Sequence, residues 1–284
     1  MVRRGSDRIF NFVVYIILGL AGLICLFPMM YVIAVSLTPY NEYLRQGGVV
    51  FIPHEITLQA YKEFWSEPYL AQCVEVTVFI TIVGTLINVA LTVLTAYPLA
   101  KKDLVFKKFF SLFVLIPMLI SGGMIPGYLV VKNIGLYDSV WAYIIPGLIV
   151  SYNLMLTRTF FSQIDSALPE AARIDGAGEI GILVRIILPV SKPILATIAL
   201  MYGVGHWNEY FRSVMYIKSP ELRTLQAVLK EVLNRSTDLA EEIIVPSRTL
   251  QMAGVMFAAV PIIVVYPFLQ KYFTQGMLLG SIKG

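Results

Sequence analysis

The sequence predicts an all-α integral membrane protein with six transmembrane helices and both termini in the cytoplasm, and three observations carry that prediction. Of 284 residues, 57% are hydrophobic and only 14% charged, with a mean hydropathy of +0.75, outside the usual mix of soluble globular chains. Six apolar runs reach the roughly 20 residues that about 30 Å of hydrocarbon demands; they lie at about 10–36, 76–100, 109–131, 139–161, 192–213 and 250–270. The basic residues divide unevenly between the segments joining them, which sets the orientation.

An even number of spans puts both termini on one side. With the N-terminus inside, Arg3, Arg4, Arg8, Lys101, Lys102, Lys107, Lys108, Arg158, Arg173, Arg185, Lys192, Lys271 and Lys283 are cytoplasmic. The other nine of the 22 basic residues fall in outer segments, among about 12 of the 18 acidic ones. The net charge of +4 thus reflects orientation, and no nucleic-acid partner is expected.

The first run, Ile9 to Thr38, is far longer than the core of a signal peptide and no A-x-A-like site follows it, so it is read as a span. Arg3 and Arg4 lack the rest of a twin-arginine signal. Two outer segments, 37–71 and 214–249, are polar, contain aromatic residues and are too short for a core of their own, so they should dock on something. The second holds "ELRTLQAVLKEVL", in which Leu222, Leu225, Val228, Leu229 and Val232 share one helical face. That helix either packs on protein or lies on lipid headgroups. Cys25 and Cys73 form no C-x-x-C pair, and His54 and His206 stand far apart, so neither a disulfide nor a metal is expected.

Between the fourth and fifth runs lies a loop at 162–191 holding "PEAARIDGAG". Ser166 is placed to N-cap a helix, Pro169 falls in its first turn, and Gly176 supplies a C-terminal stop. A helix this short is marginal alone because nucleation is costly. It must pack on a partner: Ala171 and Ala172 let another backbone approach, and Glu170 offers a carboxylate to an arginine.

Glu170 to Pro189, "EAARIDGAGEIGILVRIILP", fits the EAA motif, E-A-A-x3-G-x9-I-x-L-P, at all seven fixed positions. On that motif, on "HWNEYF" in the fifth span and on the C-terminal "QGMLLGSIKG", the chain resembles the permease subunits of binding-protein-dependent ABC importers, of the MalG type found in carbohydrate transport. Within that group it resembles the Lpl/Ytc-like oligosaccharide permeases of Gram-positive bacteria. The resemblance implies a type I importer permease fold occupying 1–284 as one transmembrane domain, in the bacterial cytoplasmic membrane. It implies a second permease, two ATPase subunits and an external solute-binding protein as partners, with a sugar or oligosaccharide as substrate. Glu170, Ala171, Ala172, Asp175, Gly176 and Pro189 would then form the coupling helix and its surroundings, and Gln275, Gly276 and Gly280 a tail that reaches between the ATPase subunits. The outer segment after the fifth span would probe the opened binding protein.

The same loop carries G-x-G-x-x-G at Gly176, Gly178 and Gly181, but a helix precedes it and a span follows, where a dinucleotide site needs a strand. No G-x-x-x-x-G-K-[ST] occurs, so no cofactor or catalytic residue is assigned, and ATP and magnesium would belong to the partner ATPases. Charges within spans are few: Glu75 at the mouth of the second, and His206, Glu209 and Arg212 in the outer part of the fifth. A secondary carrier or channel working without an ATPase is the alternative, and the missing mid-span carboxylate speaks against it. Candidate pathway residues are Tyr128, Tyr152, Asn153, His206, Trp207, Asn208 and Glu209, whose rings and amides suit sugar faces and hydroxyls. Each equally suits an aromatic belt or interhelical hydrogen bonding, the role expected of Asn88.

Overall fold

Hydrocarbon satisfies no backbone polar group, so the apolar runs have to become helices, and among the described residues every regular element is helical. The structure is a computed structural model that describes residues 5–120, 122–234 and 248–281, the side chains of 5–9, 266 and 268–281 excepted. Among the described residues, three helices are individually long and apolar enough to cross a membrane: Phe10–Ser36, Leu70–Ala100 and Arg248–Val265. Three further runs qualify only as bent pairs: Lys107–Leu119 with Met124–Asn133, Trp141–Gly147 with Ser151–Ser162 at 51°, and Glu179–Val190 with Lys192–Trp207 at 85°.

The third and fourth runs, each expected as one span, are therefore interrupted. Pro117 stands two residues from the end of Lys107–Leu119, and Gly123 follows at φ +87, a left-handed conformation that L side chains disfavour. Pro146 sits in the 3-10 turn Ile145–Gly147, where a ring without an N–H cannot continue the helical ladder. The fifth run also stops early, at Trp207. Beyond it the Asn208 amide turns back to the Val204 carbonyl at 3.0 Å, and the Glu209 carboxylate accepts the Arg212 amide at 2.9 Å to open a new helix, Phe211–Tyr216. The helix expected from Glu221 is split as well: a 3-10 turn at Pro220–Leu222 precedes the helix Leu225–Asn234. Leu225, Val228, Leu229 and Val232 are buried, so the apolar face lies on protein rather than on headgroups.

The chain forms two compact units. In Met1–Pro68 with Leu229–Val260, the end of the helix Gly5–Ser36 is fastened by Ser36 Oγ to Tyr61 OH at 2.8 Å and by the Thr57 amide donating to the Leu37 carbonyl at 2.8 Å. Ala34, Val35, Val50 and Met252 make a small core there. Phe64 and Trp65 set their rings 5.7 and 5.6 Å from Phe257, and Gly254 permits that approach because a Cβ would stand 2.7 Å from Phe64 Cε2.

In Tyr69–Val228 with Pro261–Gly284, the helices Thr85–Ala100, Ser151–Ser162 and Lys192–Trp207 pack around Ala96, Leu99, Leu154, Ile187 and Ile198. A second cluster gathers Ile80, Val131, Tyr143, Ile144 and Tyr216. The second span contains a π turn, Ile80–Gly84, and its last residue lies so close to the fifth span that a Cβ on Gly84 would be 2.6 Å from His206 Nε2.

Because the His206 ring is held by a hydrogen bond to Asn88, it cannot swing aside. Gly84→Ala should therefore cost about 1–3 kcal/mol, the usual range for overpacking. Thermal unfolding of the detergent-solubilised protein checks it; an unchanged midpoint would show that the two helices have room to part.

Candidate functional site

The loop helix forms over Ala167–Ile174. Its N-terminus is capped by Asp165 rather than Ser166: the Ala167 amide donates to Asp165 Oδ1 at 3.0 Å, while Ser166 has helical backbone angles and makes no side-chain cap. The carboxylate reaches the first free amide from one residue further back, so the hydroxyl is not needed. At the other end Gly176 takes φ +83; its amide donates to the Arg173 carbonyl, and the Ala177 amide to the Ala172 carbonyl at 2.9 Å. This paired pattern closes a helix with a left-handed residue just past its end. Glu170, Ala171, Asp175 and Gly176 are exposed, Ala172 is half-buried, and Pro189 lies exposed in the short helix Leu188–Val190. Leu168 is 47% exposed, Ile174 87% and Ile180 79%, so the loop leaves several apolar side chains uncovered as well as the Glu170 carboxylate. A cleft of about 340 Å³ opens beside it, lined by Lys101, Lys102, Pro169, Glu170 and Arg173 among others.

One cluster beside the loop helix was not visible in the sequence. The Glu179 carboxylate receives Lys101 Nζ at 2.7 Å, the Tyr97 hydroxyl at 2.7 Å and the Arg173 guanidinium at 3.1 Å. Lys101 above all, then Tyr97, hold its carboxyl down at about 2. Lys101 also lies 5.0 Å from the Tyr97 ring centre. In the sequence, Lys101 and Arg173 served only as orientation charges, and Glu179 lies 78 positions from Lys101, so no local spacing pointed to the pairing.

A second polar cluster stitches the broken fourth span. Asn88 donates its amide to the Gly147 and Leu148 carbonyls at 3.0 and 2.8 Å, and its Oδ1 pairs with His206 Nε2 at 2.7 Å. Tyr202 accepts the Val150 amide at 3.1 Å and shares a 2.8 Å bond with Thr92. Arg212 donates to the Tyr143 carbonyl at 2.7 Å and pairs with Glu209 at 3.3 Å. Asn88 thus makes interhelical bonds, as expected, and so does His206.

The structure distributes the other pathway candidates. Tyr128 stacks on Tyr216 at 6.4 Å and meets Tyr137 edge-on at 6.0 Å. Tyr152 is 51% exposed, whereas its neighbour Asn153 is buried and its Oδ1 has no hydrogen-bond partner. Trp207 lines an apolar cavity of about 260 Å³ with Val78, Thr81 and Gly203. Asn208 and Glu209 are occupied locally, by the Val204 carbonyl and the Arg212 amide. His206 and Glu209, one turn apart in sequence, therefore engage different partners. Gln275, Gly276 and Gly280 belong to the helix Arg248–Ser281, which continues where a short flexible tail was expected; their side chains, and residues 282–284, lie outside the described residues. Of the outer segment 214–249, residues 235–247 lie outside them as well. Its start is pinned by Asp138, which accepts the Lys218 and Ser219 amides at 2.9 and 2.8 Å; Ser219 above all holds the Asp138 carboxyl below the usual range.

Residues 88–279 match the family described as binding-protein-dependent transport system inner membrane component, and the chain belongs to that family. It is 41% identical to protein LplC of Bacillus subtilis over 98% of this chain and 96% of that one. It is 37% identical to the polygalacturonan/rhamnogalacturonan transport system permease protein YtcP of the same organism, over 98% and 100%. A chain in the crystal structure of a bacterial ABC transporter involved in the import of the acidic polysaccharide alginate shares its fold with a TM-score of 0.86 and 30% identity, over 96% of this chain and 99% of that one. The fold is that of type I ABC permeases, and the chain is a membrane-embedded permease component that leaves ATP hydrolysis to a separate partner.

Two outcomes follow from this geometry. Asn88→Leu strands two carbonyls and an imidazole in a buried site, and should lower stability by about 1–3 kcal/mol, the cost of buried groups left unpaired; the thermal midpoint in detergent reads it. The Glu179 pairing is complete above its ordinary carboxyl value of 4.5 and is lost only as pH falls through about 2. Difference infrared titration against Glu179→Gln should therefore show its protonated carboxyl band only well below pH 4.5; a band at pH 5 would contradict the pairing.

Proposed function

We propose that the chain is one of two permease subunits of an ATP-driven importer that carries a sugar or oligosaccharide across the bacterial cytoplasmic membrane. Six spans, the third and fourth each a bent pair and the fifth beginning at Lys192, leave both termini in the cytoplasm beside two ATPase subunits, which bind the ATP and magnesium. A solute-binding protein outside delivers the substrate. The single observation that carries this reading is the loop helix Ala167–Ile174: short, capped at both ends and exposed, with the apolar side chains Leu168 and Ile174 and the carboxylate of Glu170 all left in the open. A helix of that size gains little by itself, so such exposed groups are best explained by a partner cleft. The substrate class rests on relatives named for oligosaccharide and polysaccharide transport.

In this reading closure of the ATPase pair moves the loop helix through Glu170, Ala171, Ala172, Asp175 and Gly176, with Pro189 at the return to the fifth span. The end of the last helix, with Gln275, Gly276 and Gly280, reaches between the ATPase subunits. Tyr128, Tyr152, Asn153 and Trp207 are the pathway candidates that remain, and Asn153 is the most pointed of them because its buried Oδ1 is unpartnered. His206, Asn208 and Glu209 are already engaged within the chain and act on the pathway by shaping it.

Glu170→Lys, if its carboxylate meets a partner arginine in a partly buried pair, should weaken docking by about 2–5 kcal/mol. Gly176→Trp places a bulky side chain on a left-handed backbone at φ +83. Both variants should insert in the membrane yet lose substrate-stimulated ATPase activity in the assembled complex. Affinity purification of the tagged chain from its native host tests the assembly itself: recovery of an ATPase, a second permease and a binding protein is expected, and recovery of a folded chain alone would refute it.

A further inference from the structure

The loop helix is joined covalently to the spans by joints that bend. On its C-terminal side stand Gly176 at φ +83, Gly178, and the 85° turn between Glu179–Val190 and Lys192–Trp207. A push on the helix would dissipate in those joints unless a second link bypassed them. We infer that Glu179 is that link: with Arg173, Lys101 and Tyr97 it forms an ionic strut that carries motion of the loop helix into the second span. Arg173 belongs to the last turn of the loop helix and Glu179 opens the next helix, so their contact at 3.1 Å closes the glycine joint. Lys101 and Tyr97 belong to the end of the second span, and both reach the other carboxylate oxygen at 2.7 Å. The Leu99 carbonyl at the same helix end is held by Arg158 of the fourth span at 3.2 Å.

From there the path runs along one continuous helix, Thr85–Ala100, with Pro98 in its last turn. The same helix carries Asn88, which holds both the broken fourth span and His206 of the fifth. A single carboxylate thus connects the exposed loop helix with the place where two spans are stitched together. The strut lies near the surface, with the Glu179 side chain 50% exposed and that of Lys101 26% exposed, so its loss should spare folding. Isolated pairs at such sites contribute little to stability; what this one supplies is a fixed distance across a flexible joint.

This inference rests on the importer reading, and its test separates the two. The reconstituted complex is prepared with Glu179→Gln, Lys101→Met and both together, which remove the charges and keep the side-chain lengths. Sugar transported per ATP hydrolysed is measured alongside recovery of the ATPase subunits. Each single variant should retain the ATPase subunits and lose roughly tenfold in transport per ATP, and the double variant should lose no more than either single one, since residues acting through one contact are not additive. Losses that multiply in the double variant, or full coupling in Glu179→Gln, would overturn the strut. Should a variant fail to assemble, Tyr97→Phe, which deletes one hydroxyl, tests the same contact: reduced transport per ATP supports the strut, and unchanged coupling counts against it. Failure of the unaltered chain to bring down any ATPase would instead refute the importer reading.

Discussion

A helix that breaks inside hydrocarbon exposes carbonyls and amides that lipid cannot satisfy, and protein side chains have to answer them. This constraint organises the second unit. Pro146 interrupts the fourth span, and the groups released around it are met by Asn88, Tyr202 and Arg212. Asn88 comes from the second span and the other two from the fifth span and its continuation. The break is therefore the point at which three segments meet; Gly147 lies against Arg212, and Gly84 against His206, the partner of Asn88.

The same constraint explains which parts of the structure could be read beforehand. The loop helix and its glycine stop follow from local rules of capping and backbone freedom, and the apolar runs are helical, although the third and fourth are interrupted and the fifth ends at Trp207. Prolines such as Pro146 and Pro117 do not settle the matter, since a proline in a membrane helix is compatible with a kink, a break or neither; Pro28 and Pro261 lie inside continuous helices. Whether a proline breaks a span depends on whether a neighbour can supply partners, and Asn88 lies 58 positions before Pro146. That information is tertiary. Glu179 shows the limit from the other side: it sits amid the motif that identified the family, yet none of the motif's fixed positions describes its contacts with Lys101 and Tyr97.

The pathway candidates show how much chemistry alone leaves open. His206, Glu209 and Asn208 are polar side chains at or just past the end of the helix Lys192–Trp207, and they suit a sugar as well as any. Their geometry gives them other employment: His206 binds Asn88, Asn208 bonds to its own helix, and Glu209 opens the helix that follows. A group already satisfied within the protein would have to give up that partner to bind substrate, and the exchange would gain little. Asn153 differs because its oxygen is buried without a partner, a state that costs free energy in the conformation described.

A transporter has to hold its spans firmly enough to stay folded and loosely enough to change face. The two polar clusters divide these demands by environment. The stitch around Asn88 lies in the packed interior, where each bond is hard to replace and the helices it joins move together. The cluster around Glu179 lies at the surface, where its loss costs little folding stability, while its three contacts fix the distance between the loop helix and the helix Thr85–Ala100. In the strut proposal the glycine joint is the part that bends and the carboxylate the part that does not.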